Sequence, residues 1–375
     1  MNAYKLHPSE ISTLIESIKQ DDYKIIGPRV RDGAIIYDEI GSLNDLPIGI
    51  TDEQNAGEYR LVKRADRSFF GYNVGPQSWK KFLFPPISKL FSIRKDGKGI
   101  FVDTSTNTQQ QKLAFIGVRP CELSAISIQD KIFLNPQFAD QEYQRRRNSV
   151  LIVAVNCTKS GETCFCSSMK TGPRARSGYD VLLTEVIDET QHFFIMEVGS
   201  ELGGKITSAL KLKEASENEI KLSFDLVEEA AKKMGRSLDT DGLAQAIARN
   251  LESAHWDDVA KRCLACANCT LVCPTCFCST VEDVTSLDGK TAERWKKWDS
   301  CFTMSFARVA GGNFRSSQKS RYRQWLTHKL SFWVEQFGTY GCVGCGRCIT
   351  WCPACIDITQ EAKALLEVEK KANGG

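Results

Sequence analysis

A chain of 375 residues suits two domains, each able to bury a core. Its 49 Lys+Arg against 46 Asp+Glu leave a formal charge of +3, which gives no basis for a nucleic-acid partner or a polybasic membrane patch. No apolar run approaches the roughly 20 residues needed to cross a bilayer, residues 1–8 lack the apolar core of a secretory signal, and 16 cysteines suit a reducing compartment where thiols bind metal. The expectation is a cytoplasmic protein.

In chain order, Pro8 to Gln20 carries Ile11, Leu14, Ile15 and Ile18 at helical spacing and predicts an amphipathic helix. Short β-branched or aromatic runs follow at Tyr23 to Ile26, Ala34 to Tyr37, Tyr59 to Val62 and Phe69 to Val74, separated by Gly, Asp and Pro as strands in antiparallel or mixed pairing are. Trp79 to Phe84 reads as a short helix stopped by Pro85-Pro86. From Lys112 the texture changes. Leu113 to Val118 reads as a buried strand, Cys121 to Phe133 as a helix and Val150 to Val155 as a second strand, together a parallel crossover unit. The basic clusters Arg145 to Arg147 and Lys319 to Arg323 read as solvated helix faces, with docking of an acidic partner as the other possibility.

In a crossover unit the loops after both strands emerge at one edge of the sheet. Cys121 follows the first strand and Cys157 the second, and the next loop adds Cys164 and Cys166. These four thiols therefore form a candidate metal site. The competing reading is that they pack as small apolar residues, but the loop from Cys157 to Cys166 is rich in Gly, Ser, Thr and Lys, a poor setting for that. Strands at Val181 to Val186 and Phe193 to Val198 then lead to helices at Ser200 to Leu212 and Leu226 to Met234. A domain boundary is expected between Gly235 and Asp241, giving an α+β or α/β domain over 1–238 and a second domain over 239–375.

The second domain opens with a helix over Leu243 to Val259 and then repeats one pattern, C-x2-C-x2-C-x3-C-P. It occurs at Cys263, Cys266, Cys269 and Cys273, and again at Cys342, Cys345, Cys348 and Cys352. Three thiolates on a tight loop each take one iron of a cubane, and in two-cluster ferredoxins the last cysteine of each run serves the other cluster. One [4Fe-4S] cluster is thus assigned to Cys263, Cys266, Cys269 and Cys352, the other to Cys342, Cys345, Cys348 and Cys273. Zinc also takes four thiolates, but its structural sites are usually built from separate C-x2-C pairs. Between the runs, Gln324 to Gly338 sets Trp325, Leu326, Leu330, Trp333, Val334 and Phe337 at helical spacing, and Arg294 to Ala310 interleaves aromatic and basic residues in a similar way. The expectation is an all-α ferredoxin domain, closed by a helix from Gln360 to Lys370.

Cys276, Cys278 and Cys301 could hold a fourth cluster with one further ligand, such as Asp299, or could line the pockets of the others; Cys355 reads as a bystander. No G-x-G-x-x-G follows a strand and no P-loop is present, so neither flavin nor NAD is placed in this chain. His7, His192, His255 and His328 are scattered and read as structural. Several clusters without a substrate pocket imply a relay of electrons between other polypeptides. A sulfur-compound-reducing site at an incompletely ligated iron and a scaffold with structural clusters are the other two functional classes.

The segments Gly117-Val-Arg-Pro-Cys121, Asn156-Cys157, Cys164-Phe-Cys166, Cys273-Pro-Thr-Cys276-Phe-Cys278, Trp298-Asp-Ser-Cys301 and Gly341-Cys-Val-Gly-Cys-Gly-Arg-Cys348 together carry a resemblance over nearly the whole chain. The sequence resembles the iron-sulfur beta subunit of cytoplasmic NAD(P)-linked [NiFe]-hydrogenases, the sulfhydrogenases. It is also similar to the electron-transfer subunit of anaerobic sulfite reductase, and its twin runs alone to the ferredoxin subunit of heterodisulfide reductase, which would not need the N-terminal half. The first resemblance implies a complex in which one partner binds FAD and NAD(P)H, small and large subunits carry the [NiFe] site, and this chain bridges them. It also supports Cys121, Cys157, Cys164 and Cys166 as ligands, since they fall within the resembling segments.

Overall fold

The computed structural model describes residues 3–104 and 111–373. Eight strands form the main sheet, in the spatial order Lys213–Glu214, Ala3–Leu6, His192–Val198, Val181–Ile187, Val150–Val155, Leu113–Val118, Lys24–Arg31 and Ala34–Glu39. Its centre is parallel: Lys24–Arg31, Leu113–Val118, Val150–Val155 and Val181–Ile187 pair in one direction, and the flanking strands run antiparallel. Val150–Val155 is buried at every position, as befits a strand covered on both faces. One face is covered by helix Glu10–Gln20, whose Ile11, Leu14, Ile15 and Ile18 join one core with Leu151, Val153 and Leu183. The other packs against helix Pro120–Phe133, through Leu123 and Ile126 against Phe115 and Ile152.

The run Phe69 to Val74 is not a strand. Three of its amides are taken instead by buried carboxylates: Glu185 accepts from Phe69 N and Phe70 N, and Asp52 accepts from Asn73 N. With their donors satisfied off the ladder, Phe69 and Phe70 gain nothing from strand pairing. The expected helix over Leu243 to Val259 is two, Leu243–Arg249 and His255–Arg262. In the break the Trp256 indole donates to Asn250 O and Arg323 to Leu251 O, so carbonyls released by the interruption are satisfied.

The larger correction concerns the C-terminal half, which is not all-α. Ser279–Thr285 and Thr291–Trp298 form a hairpin, and its second strand pairs with Ile87–Asp96, which in turn pairs with Gly99–Asp103. A further short pair joins Arg308–Val309 to Gly312–Asn313. The aromatic and basic residues at Arg294 to Trp298 thus alternate across a sheet rather than around a helix. Helical spacing and strand alternation both accommodate Arg294, Trp295, Lys296, Lys297 and Trp298, and the choice was made by a distant partner strand and by the turn around Asp288-Gly289. The helical remainder of this half packs Trp256, Trp325, Leu326, Leu330 and Ile349 into a second core, with Phe165 from the other half among them. Helix Gln318–Thr327 passes through a π-helical turn, His328–Phe332, into Trp333–Phe337, and Ile358–Asn373 is the last helix. Among the described residues no helix is long and apolar enough to cross a membrane.

Candidate metal centres

The two cysteine runs share one backbone. In each, the second residue after the first cysteine and the residue after the second cysteine are left-handed: Ala265 and Ala267 at φ 52° and 65°, Gly344 and Gly346 at φ 65° and 76°. Each run then enters a single helical turn, Asn268–Leu271 or Arg347–Thr350. The left-handed step turns an amide toward sulfur. Ala265 N donates to Cys263 Sγ and Gly344 N to Cys342 Sγ, both at 3.4 Å. Alanine tolerates such angles at a cost of roughly 1–2 kcal/mol, so the amide alone does not require glycine. Packing does. A Cβ on Gly344 would lie 2.7 Å from the backbone of Phe165 and Cys166, and one on Gly346 2.5 Å from Thr163. The second run therefore lies directly on the loop that carries Cys164 and Cys166, stitched by Phe165 N to Gly344 O at 2.8 Å and by Thr163 Oγ1 to Thr350 Oγ1 at 2.8 Å.

Three cavities are ringed by sulfur. The first is lined by Cys263, Cys266, Cys269 and Cys352, with Phe302, Tyr322, Trp325 and Ile356. The second is lined by Cys273, Cys342, Cys345 and Cys348, with Phe165, Lys329 and Arg347. The second takes three cysteines from one run and one from the other, while the first takes three from its own run and both Cys348 and Cys352 from the other. The third is lined by Cys121, Cys157, Cys164 and Cys166, with Asn73, Arg119, Lys159 and Met234. Its cysteines arrive as the crossover unit delivers them: Leu113–Val118 and Val150–Val155 are parallel neighbours, and Cys121 and Cys157 leave at the same edge. The cavities also share walls. Cys348 lines the first and second, and Cys345 the second and third. Among the described residues no three His, Cys, Asp or Glu side chains converge as ligands of one ion would; the sulfurs surround spaces instead.

The electrostatics suit anionic occupants. All sixteen cysteines are free thiols. Burial pushes those of Cys164 and Cys342 up to about 12, so neither ionises near neutral pH on its own, and a metal that takes them as thiolates must release their protons. Lys329, only 5% exposed, donates from Nζ to Cys273 Sγ and Thr275 Oγ1, both at 3.1 Å. Burial alone would lower its pKa, but sulfur at Cys273, Cys276 and Cys342 holds the ammonium well above the ordinary lysine value. In turn a hydrogen bond from Cys276, together with Lys329 and Thr275, holds the Cys273 thiol well below its ordinary value. Beside the third cavity Arg119 is buried, donating to Phe70 O and Tyr72 O and reaching Cys157 Sγ at 3.9 Å. Arg347 and Glu122, each 1% exposed, pair at 2.5 Å next to Cys345 and Cys121, and Glu122 also accepts from Tyr37 and Trp79. Sulfur-only donor sets, main-chain amides aimed at sulfur and buried cations without a carboxylate at Lys329 together fit iron-sulfur groups.

Cys276, Cys278 and Cys301 line none of these three cavities. Cys276 hydrogen-bonds Cys273, and Cys278 hydrogen-bonds Cys301, which lowers the Cys278 thiol to about 7. Asp299 accepts from Ser300 N and Thr303 Oγ1. Lys80, 4% exposed, lies over the Trp298 ring at 4.0 Å and, like Lys329, acts electrostatically on Cys273, Cys276 and Cys278. Cys355 is exposed. The histidines are structural in kind: His192 bonds Glu185, His255 pairs with Glu361, and His328 accepts from the Trp333 indole. Sequence reasoning missed Lys329, Lys80, Arg119 and the Arg347–Glu122 pair. Lys329 left a signal, since it falls on the buried stripe of Leu326, Leu330 and Trp333, where a solvated lysine has no place.

A family profile for the 4Fe-4S dicluster domain matches residues 262–356, the segment that holds both runs. Iron-sulfur clusters are thus the cofactor class of this chain. No solved structure matches it. Over 380 aligned residues, covering 99% of this chain and 99% of the relative, it is 31% identical to the sulfhydrogenase 2 subunit beta of Pyrococcus furiosus. With its sulfur-ringed cavities, its dicluster segment and a full-length relative of that name, this chain belongs to the sulfhydrogenase beta-subunit family.

Proposed function

We propose that this chain is the electron-relay subunit of a multi-subunit, cytoplasmic, NAD(P)-dependent hydrogenase. In this reading one partner binds FAD and NAD(P)H, small and large subunits carry the [NiFe] site, and this chain connects them without a catalytic residue of its own. Clusters of the [4Fe-4S] type, when bound, would accept and release single electrons. Cys263, Cys266, Cys269 and Cys352 would hold the first, Cys342, Cys345, Cys348 and Cys273 the second, and Cys121, Cys157, Cys164 and Cys166 the third.

The observation that carries this reading is the row of cavities with shared walls. Cys348 lines both the first and second cavities and Cys345 both the second and third, so groups held there would be neighbours, as a chain of electron carriers requires. Lys329 and Arg119 bring positive charge to Cys273 and Cys157 at the second and third cavities, and Arg321 brings it to Cys263 at the first. Iron analysis tests the ligand sets. The Cys164→Ser/Cys166→Ser variant loses about four irons per chain relative to the wild type; unchanged iron sinks the third site. The same count decides whether Cys276, Cys278 and Cys301 hold a fourth cluster, which would add about four more. The isolated chain, reduced by dithionite, shows no turnover with NADPH, H2, sulfite or polysulfide; turnover by the lone chain would replace the relay with a catalytic reading.

A further inference from the structure

A broad cleft runs between helix Pro120–Phe133, the loop following Cys166 and the end of helix Trp333–Phe337, and Cys342 forms part of its wall. Five cations line it: Lys131, Arg147, Lys170, Arg174 and Arg176. Asp130 is the one acidic residue of the lining, and it pairs with Arg147 at 3.1 Å. Glu197 pairs with Arg174 at 2.9 Å, and Lys131 donates to Phe337 O. Lys170 and Arg176 are exposed, and among the described residues neither has a carboxylate partner. Lys170 is also left-handed, at φ 58°, a conformation that costs a lysine energy and is fixed by hydrogen bonds from Lys170 N to Ser167 O and Thr171 N to Cys166 O. Thr171 Oγ1 then donates to Val343 O at 2.6 Å. The loop that presents the free charges is therefore bolted both to Cys166 of the third cavity and to the residue beside Cys342 of the second.

We propose that this basic cleft is a docking surface for an acidic electron-carrier protein, which exchanges electrons with the group held at Cys342. The proposal rests on the relay reading. The cations come from helix Pro120–Phe133, helix Gln141–Asn148 and the loop after Cys166, and line an open cleft, as suits an extended acidic surface rather than one phosphate. Cys342 is half-buried at its wall, so a docked carrier meets the second cavity at its rim.

The test is isothermal titration of the iron-loaded full chain with oxidised plant-type ferredoxin, a small acidic protein, at ionic strengths of about 0.05 and 0.3 M. Wild-type affinity falls by about tenfold or more across that range, and Lys170→Glu/Arg176→Glu weakens binding by about tenfold or more at the lower one. Iron content and dithionite bleaching of the variant stay at wild-type values. Variant binding equal to wild type, wild-type binding indifferent to salt, or no binding at all overturns the proposal. Should the charge-reversed chain fail to fold, Lys170→Gln/Arg176→Gln and the wild-type salt dependence decide. Failure of the relay reading is distinct: dithionite would then leave the wild-type chromophore unbleached.

Discussion

Replacing Lys329 by Met removes a buried positive charge 3.1 Å from Cys273 Sγ while keeping most of the side-chain volume. A unit charge at that distance interacts by about 5 kcal/mol with an effective dielectric constant near 20. The electron gained on reduction spreads over the cluster, and doubling the separation halves the energy to about 2.5 kcal/mol. Since about 1.4 kcal/mol corresponds to a tenfold ratio and ~59 mV for one electron, the second cluster of the Lys329→Met chain should be harder to reduce by on the order of 100 mV. Lys329→Arg keeps the charge and most of the potential. A redox titration of the iron-loaded chain followed by electron paramagnetic resonance reads both variants against wild type. A Lys329→Met chain with full iron and every cluster potential within ~20 mV of wild type would show that the ammonium does not face a cluster.

Other consequences are as specific. Glu122→Ala leaves Arg347 charged and buried without its partner and strips the acceptor from Tyr37 and Trp79; a loss of about 3–5 kcal/mol is expected in urea unfolding, and an unchanged midpoint would count against the pair. Gly344→Ala adds a Cβ 2.7 Å from the Phe165 and Cys166 backbone and should lower iron retention, while Ala265→Gly at the matching position of the first run should not; equal iron in both variants would show that contact to be slack. Burial lowers the His328 imidazole to about 4, where the Trp333 indole donates to it. Unfolding frees it to take a proton below about pH 6.5, so its contribution is complete above that pH and shrinks as pH falls toward 4. His328→Gln should flatten the decline in stability between about pH 7 and 5 under anaerobic conditions, and an undiminished decline would remove His328 as its source.

Which parts of this were legible in the sequence depended on how local their causes are. The Glu10–Gln20 helix and the crossover from Leu113 to Val155 could be read because their apolar periodicity and their position between breakers are properties of the segments themselves. The crossover rule also put Cys121 and Cys157 at one sheet edge, where they line one cavity, whereas the entry of Cys348 and Cys345 into neighbouring cavities has no signal in the spacing of the runs. The hairpin of Ser279–Thr285 and Thr291–Trp298 was illegible as such, because its pairing with Ile87–Asp96 crosses nearly 200 residues of chain. Phe69 to Val74 looked like a strand because Glu185, which takes its amides, is remote in sequence. That Arg147 lines one cleft with Lys170 and Arg176 was likewise illegible, because these residues come from separate elements.

Cys345 and Cys348 stand three residues apart, on either side of the step into a single turn of helix. That short peptide sets the spacing between the walls of the three neighbouring cavities. An insertion or deletion between them could not lengthen one hop without dislocating the next, so this segment is where length variation should be least tolerated. The outlying Ser279–Thr285 and Thr291–Trp298 hairpin and the surface cleft are freer to change with whatever neighbours the protein gains.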